Sequence, residues 1–257
     1  MEEQLKVALI QCPLHWENPQ ANRALFSEKI AAIEESVDLV VLPEMFTTGF
    51  TMKPENIALE EDSKTLQWLQ ETTQQHNIAI AGSVVFCEDE NFYNRLFFVH
   101  PDGQYNTYDK RHTFTLAGEH EVYTAGTEKV VVDYKGFKIC PLICYDLRFP
   151  VWARNIEDYD VLLYVANWPK PRVNAWDALL KARAIENMVY VIGVNRIGQD
   201  ASGYEYVGHS AVYDVLGEQL AFSCKDAVLH ASLSKAHIIS VRDKLKFLED
   251  RDNFTLQ

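Results

Sequence analysis

The chain has 257 residues, 47 % of them hydrophobic and 24 % charged, so it can bury a substantial core and does not carry the composition of a disordered segment. Its formal net charge of −13 excludes a general nucleic-acid or anionic-membrane binder, because gripping phosphates needs clustered Lys and Arg that this sequence does not show.

In chain order, Leu5 to Gln11 alternates well enough for a first strand. Asn18-Pro19 then supplies an N-cap followed by Pro at the first helical position, with Leu25, Phe26, Ile30 and Ile33 at helical spacing. Asp38 to Pro43 is apolar on both faces, as in a parallel strand covered on both sides, and it ends at Glu44. A helix starting at Asp62 or Ser63 carries Leu66, Leu69 and Thr73 on one stripe and leads into a strand from Ile78 to Phe86. Hairpin-connected strands follow at Arg95 to His100, Gln104 to Lys110, Lys129 to Tyr134 and Phe137 to Ile143. Val161 to Ala166 reads as an apolar strand, and Asn174 to Met188 as a helix with Ala175, Leu179, Ala182 and Ile185 inward. Strands at Val189 to Asn195, His209 to Asp214, Glu218 to Phe222 and Ala227 to Leu233 complete the pattern, leaving a charged tail to Gln257. No Pro/Gly/Ser-rich linker or repeat interrupts it, so one α/β domain over residues 1–257 is expected, with about the last 20 residues a tail that could pack on a partner subunit.

Three polar residues stand where strands stop: Glu44, Lys110 and Cys144. Ligands of α/β sheets collect beyond the carboxyl ends of strands, so a carboxylate, an ammonium and a thiol placed there point to one shared pocket. Cys144 also opens the turn Cys144-Tyr145-Asp146-Leu147-Arg148, where unpaired backbone N–H groups favour negative charge on sulfur or on a bound oxygen. It is a nucleophile candidate; a plain buried cysteine is the competing reading.

Leu42-Pro43-Glu44-Met45-Phe46, Tyr108-Asp109-Lys110-Arg111-His112 and Cys144-Tyr145-Asp146-Leu147-Arg148-Phe149-Pro150 resemble the three catalytic motifs of the nitrilase (carbon–nitrogen hydrolase) superfamily, in that order. Ala166-Asn167-Trp168-Pro169 and Ala182-Arg183-Ala184-Ile185-Glu186-Asn187 extend the likeness, which is strongest to the omega-amidase branch. The resemblance implies a four-layer αββα sandwich and a homodimer. It implies Glu44 as general base, Lys110 as catalytic lysine and Cys144 as nucleophile, with Glu119 as an additional carboxylate. The reaction implied is hydrolysis of the terminal amide of a small carboxylate-bearing amide, of the 2-oxoglutaramate or 2-oxosuccinamate type, through a Cys144 thioester. No cofactor is called for, since thiol, acid and ammonium supply the chemistry.

Around that set, the Tyr145 backbone N–H is placed to stabilise an oxyanion. Arg148, four residues after Cys144, shares a face with it if a helix begins at the turn, and could clamp a substrate carboxylate; a salt bridge to Asp146 or across a dimer is the alternative. Trp168 and Phe114 either wall the pocket or simply fill core. The five cysteines, Cys12, Cys87, Cys140, Cys144 and Cys224, are odd in number and scattered, and no metal-ligand spacing links them to a His pair. With no apolar run near 18 residues and no leader pattern after Met1, a reduced, cytoplasmic protein is expected. Two rival readings remain: a Cys-His hydrolase using His112 or His120, and a non-catalytic binding or scaffold protein. Amidase, nitrilase and carbamoylase share the same three residues and are not separated by them.

Overall fold

The computed structural model describes residues 3–57 and 59–255. The elements in order are β1 (Gln4–Gln11), α1 (Pro19–Ala31), β2 (Leu39–Val41), α2 (Glu60–His76), β3 (Ala79–Glu88), β4 (Asn91–Val99) and β5 (Tyr105–Asp109). After α3 (Glu119–Val122) come β6 (Val132–Tyr134), β7 (Phe137–Ile143), β8 (Val161–Ala166), α4 (Val173–Asn187) and β9 (Tyr190–Asn195). The last elements are β10 (Ile197–Gln199), β11 (Glu205–Val207), β12 (Ser210–Tyr213), β13 (Gln219–Ser223), β14 (Ala227–Ser234) and α5 (Lys235–Leu245).

Two mixed six-stranded sheets result, ordered β14-β1-β2-β3-β4-β5 and β13-β12-β9-β8-β7-β6. Their apolar faces meet in a core that includes Val7, Leu9, Val41, Ala81 and Phe98 from the first sheet and Ile139, Leu163 and Val212 from the second. The pleat turns the alternate residues Ala8, Ile10, Val40, Leu42 and Ile80 outward, where Phe26 and Ile30 of α1 and Leu69 of α2 cover them. On the far side, Trp176, Leu180 and Ala184 of α4 cover the second sheet. The layers are therefore α, β, β, α, and the expected sandwich is the observed one.

Strand direction brings the chemistry together. β1, β2 and β3 are parallel, and two antiparallel steps through β4 return β5 to the same direction, so β2 and β5 end on one edge. In the facing sheet β7, β8 and β9 are parallel to one another, so Cys144, Asn167 and Asn195 share their carboxyl edge.

Local signals were legible at α1, where the Asn18 side chain accepts from the Ala21 N–H at 3.1 Å and Pro19 occupies the first turn. One expectation needs correction. The buried face of α4 is Trp176, Leu180, Arg183, Ala184 and Asn187; of the expected stripe, Ala175 and Leu179 pack half-buried beside it, while Ile185 is 48 % exposed. Arg183 donates to the Leu147 carbonyl at 2.7 Å, and Asn187 accepts from the Asn155 N–H at 2.9 Å, so polar side chains take buried places that an apolar stripe would not assign them. The charged tail begins as α5, where Arg242 donates to the carbonyls of Met188 at 3.0 Å and Tyr159 at 2.6 Å of its own chain.

The α4–β9 contact is tight enough to need glycine. A Cβ on Gly193 would lie 2.4 Å from Leu180 Cδ1 and 2.9 Å from Trp176 Cζ2. Gly193→Ala should therefore lower stability by roughly 1–3 kcal/mol through overpacking, read as a lower urea midpoint; an unchanged midpoint would show that α4 yields freely.

Candidate active site

Each reactive side chain is carried on a backbone segment that is itself tied down. Glu44 sits just past β2, on a loop laid over β3: the Leu42 N–H donates to the Ala81 carbonyl at 2.8 Å, and the Met45 and Phe46 N–H groups donate to Ser83 Oγ at 2.9 Å and its carbonyl at 3.0 Å. Gly82 permits this approach, since a Cβ there would lie 2.9 Å from Leu42 Cβ. Lys110 follows β5 directly; its N–H donates to the Asn94 carbonyl at 3.0 Å and its carbonyl accepts from Gly126 at 2.9 Å. Cys144 opens a 3-10 helix at the end of β7 with φ +43°, a left-handed conformation uncommon for a side-chain-bearing residue and often found at functional turns.

The turn is held by Asp146, which is fully buried. Its carboxylate accepts from the Ile143 N–H at 3.0 Å, the Tyr108 hydroxyl at 2.7 Å, the His112 N–H at 3.0 Å and His112 Nδ1 at 2.7 Å. One carboxylate thus fastens the cysteine turn to both sides of Lys110.

At the centre, the Lys110 ammonium donates to Glu44 Oε1 at 2.8 Å and to Glu119 Oε1 and Oε2 at 3.0 and 2.9 Å. All three side chains are within 1 % of complete burial. Asn94 Nδ2 bridges the two carboxylates, at 2.8 Å to Glu44 and 3.2 Å to Glu119. The Asn167 N–H donates to Glu44 Oε2 at 2.8 Å and the Phe114 N–H to Glu119 Oε2 at 2.5 Å. Burial alone would lower the Lys110 pKa, but Glu119 and Glu44 override it and hold the ammonium well above its ordinary value. Burial raises Glu119, against the pull of Lys110. Burial also pushes the Cys144 thiol well above its usual range; Glu44 acts in the same direction, and Lys110 opposes it.

Cys144 and Lys110 open onto a cavity of about 290 Å³. Tyr145, Arg148, Trp168 and Phe114 line it, so all four substrate-side candidates face the same space as the thiol. The Arg148 guanidinium lies 5.0 Å from the centre of the Trp168 ring and forms no ion pair with Asp146, whose oxygens are taken as above. Trp168 is both core and wall, being 2 % exposed and part of the main cluster.

The histidines of the rival scheme lie elsewhere. His112 is spent on Asp146 and stacks flat on Phe149 with ring centres 3.7 Å apart, while the His120 side chain is 46 % exposed beside Glu121. Neither is among the residues lining the cavity. Residues not anticipated include Asn94, Asn195 and Arg172, and Asn167, quoted only within the Ala166-Asn167-Trp168-Pro169 likeness, gains a direct contact with Glu44. Asn167 and Asn195 obey the strand-end rule that singled out Glu44, since they close or follow the apolar strands β8 and β9. Asn94 carries no such mark, lying inside β4.

The model of the carbon-nitrogen hydrolase family matches residues 6–243, and the chain belongs to that family. It is 45 % identical to a protein named omega-amidase YafV from Yersinia enterocolitica over 98 % of both chains. It is 32 % identical to a 2-oxoglutaramate amidase from Bacillus subtilis, over 95 % of this chain and 96 % of that one. A crystal structure of a CN-hydrolase superfamily protein from Xanthomonas campestris, with an arsenic adduct in its active site, superposes with TM-score 0.96 at 38 % identity, covering 99 % of each chain.

The charges around sulfur give a direct test. Because Glu44 raises the thiol's pKa and Lys110 lowers it, the pH midpoint of Cys144 alkylation by iodoacetamide should fall in Glu44→Gln and rise in Lys110→Met. A Glu44→Gln midpoint at or above that of the unmodified protein would contradict this electrostatic picture.

Proposed function

We propose that this amidohydrolase is an omega-amidase that releases ammonia from the terminal amide of a short dicarboxylate monoamide, of the 2-oxoglutaramate or 2-oxosuccinamate type. The observation that carries the reading is the shared ammonium: Lys110 contacts both carboxylates beside a cavity that also holds Cys144 and an arginine.

Cys144 rests as the neutral thiol, and attack on the amide carbon transfers its proton to Glu44. The carbonyl oxygen becomes an oxyanion, stabilised by the Lys110 ammonium and by the Tyr145 N–H in the first turn of the 3-10 helix, where N–H groups lack helical partners. As the intermediate collapses, Glu44 returns its proton to nitrogen; the C–N bond breaks, ammonia leaves and a thioester remains. Water then attacks the thioester carbon with Glu44 accepting its proton, and that proton passes to sulfur as the C–S bond breaks and the acid departs. Glu119 holds Lys110 in place and keeps it charged. Arg148 receives the far carboxylate, and Trp168 and Phe114 wall its path.

The chain is proposed to act in the cytoplasm as a homodimer. No helix among the described residues is long and apolar enough to cross a membrane. Ile185, Leu216, Leu220 and Phe222 are each at least 42 % exposed on the second sheet's side, and the Leu216-Gly217 turn touches Ile185, an apolar surface suited to a second copy. Sedimentation equilibrium should give a two-chain mass; a single-chain mass at micromolar concentration would refute the dimer.

Ammonia release from a panel of 2-oxo acid amides, plain amides, nitriles and carbamoyl amino acids should favour the carboxylate-bearing amides. Lys110→Ala should abolish turnover and His112→Ala should leave part of it. Arg148→Ala should cost carboxylate-bearing amides about 10- to 100-fold in kcat/KM and neutral amides little. A preference for nitriles or carbamoyl compounds, or equal losses in Arg148→Ala, would redirect the assignment.

A further inference from the structure

We infer that Arg172 is a second specificity-determining residue, which with Arg148 forms a two-guanidinium clamp on the carboxylate at the far end of the substrate. The inference rests on the amidase reading for its substrate class.

The ion pairs made by arginines among the described residues involve Arg23, Arg95, Arg183, Arg242 and Arg251. Arg148 and Arg172 are not among them, yet both line the cavity above Cys144. In a chain of net charge −13, two guanidinium groups and the Lys110 ammonium line one small cavity against a single lining carboxylate, Asp200, which leaves positive charge for a ligand to meet. Asp200 makes no ion pair with either arginine, and its oxygens are already engaged: Oδ1 accepts from the Ser202 and Tyr204 N–H groups at 2.9 and 3.0 Å, and Oδ2 from the Tyr206 hydroxyl at 2.8 Å.

Both arginines hang on one tryptophan. The Arg148 guanidinium lies over the Trp168 ring, while Trp168 Nε1–H donates to the Arg172 carbonyl at 2.7 Å. The Arg172 N–H donates to the Pro169 carbonyl at 3.0 Å, in a turn that Pro169 and Pro171 stiffen. Its guanidinium is 5.0 Å from the centre of the Phe114 ring, and Phe114 is itself bonded to Glu119. Stacking leaves the N–H edge of each guanidinium free for a planar carboxylate, and the fixed backbone lowers the ordering cost of binding. Lys110 serves the reacting end and the two arginines the other, which selects an amide bearing one negative charge at its far end.

The test uses intact amide in the Cys144→Ala background, which lacks the nucleophilic thiol, with ammonia release monitored during the titration. By calorimetry, succinamate should bind at least about 10-fold more tightly than the neutral diamide succinamide, and Arg172→Gln, which keeps a planar polar end without charge, should remove most of that preference. Arg172→Lys, which keeps charge but loses the fork, should restore part of it. An undiminished preference for succinamate in Arg172→Gln would overturn the clamp, as would equal binding of the two amides before any arginine is changed. Hydrolysis of succinamate by the unmodified protein is measured separately, so binding through Arg172 without ammonia release would retain the clamp and reject the amidase reading.

Discussion

The structure depends on one buried ammonium held between two carboxylates. Taking three charges out of water is costly, and such a group persists only when its oxygens and protons find partners. Here they do: Lys110 spends its donors on Glu44 and Glu119, Asn94 spans both acids, and the backbone N–H groups of Asn167 and Phe114 complete them. These residues come from β4, the ends of β2, β5 and β8, and the segment around α3, so satisfying the charges also fixes how the two sheets sit against each other. Stability and reactivity have the same source.

Around that triad, the chemistry follows from placement rather than from unusual side chains. A thiol that burial and Glu44 keep protonated has no proton to spare except to the acid that keeps it so. An ammonium that Glu119 and Glu44 hold well above its ordinary pKa is a ready electrostatic partner for an oxygen gaining charge. Asp146 supplies the rigidity, joining the strained Cys144 turn to Tyr108 and His112 on either side of Lys110.

Much of this could be read from residues in order. Apolar or alternating runs ending in Glu44, Lys110 and Cys144 announce strand ends, and strand ends on a common edge converge. Asn167 and Asn195 obey the same rule, but an amide, unlike a thiol or an ammonium, does not advertise a reaction. Asn94 and Glu119 are invisible to that rule, since their places depend on β4 crossing beside β5 and on a short helix folding back. Apolar periodicity does not reveal the whole buried face of α4, because Arg183 and Asn187 are buried for the carbonyls and N–H groups they satisfy. The hairpin of β10 and β11, short and polar at its tip, gave no strand signal, yet it brings Tyr206 to the cavity rim. Arg172 lay outside every motif, and only the shared cavity and the mounting on Trp168 distinguish it from a surface arginine.

The central claim is that sulfur, carboxylate and ammonium act on one carbonyl carbon. Mixing the protein with excess succinamate, quenching in acid and weighing the intact chain tests it most directly. The account predicts a fraction of chain heavier by the mass of succinamate less that of ammonia, located at Cys144 and absent in Cys144→Ala. Ammonia release with no adduct at any quench time, from a protein whose Cys144→Ala variant still turns over, would contradict it.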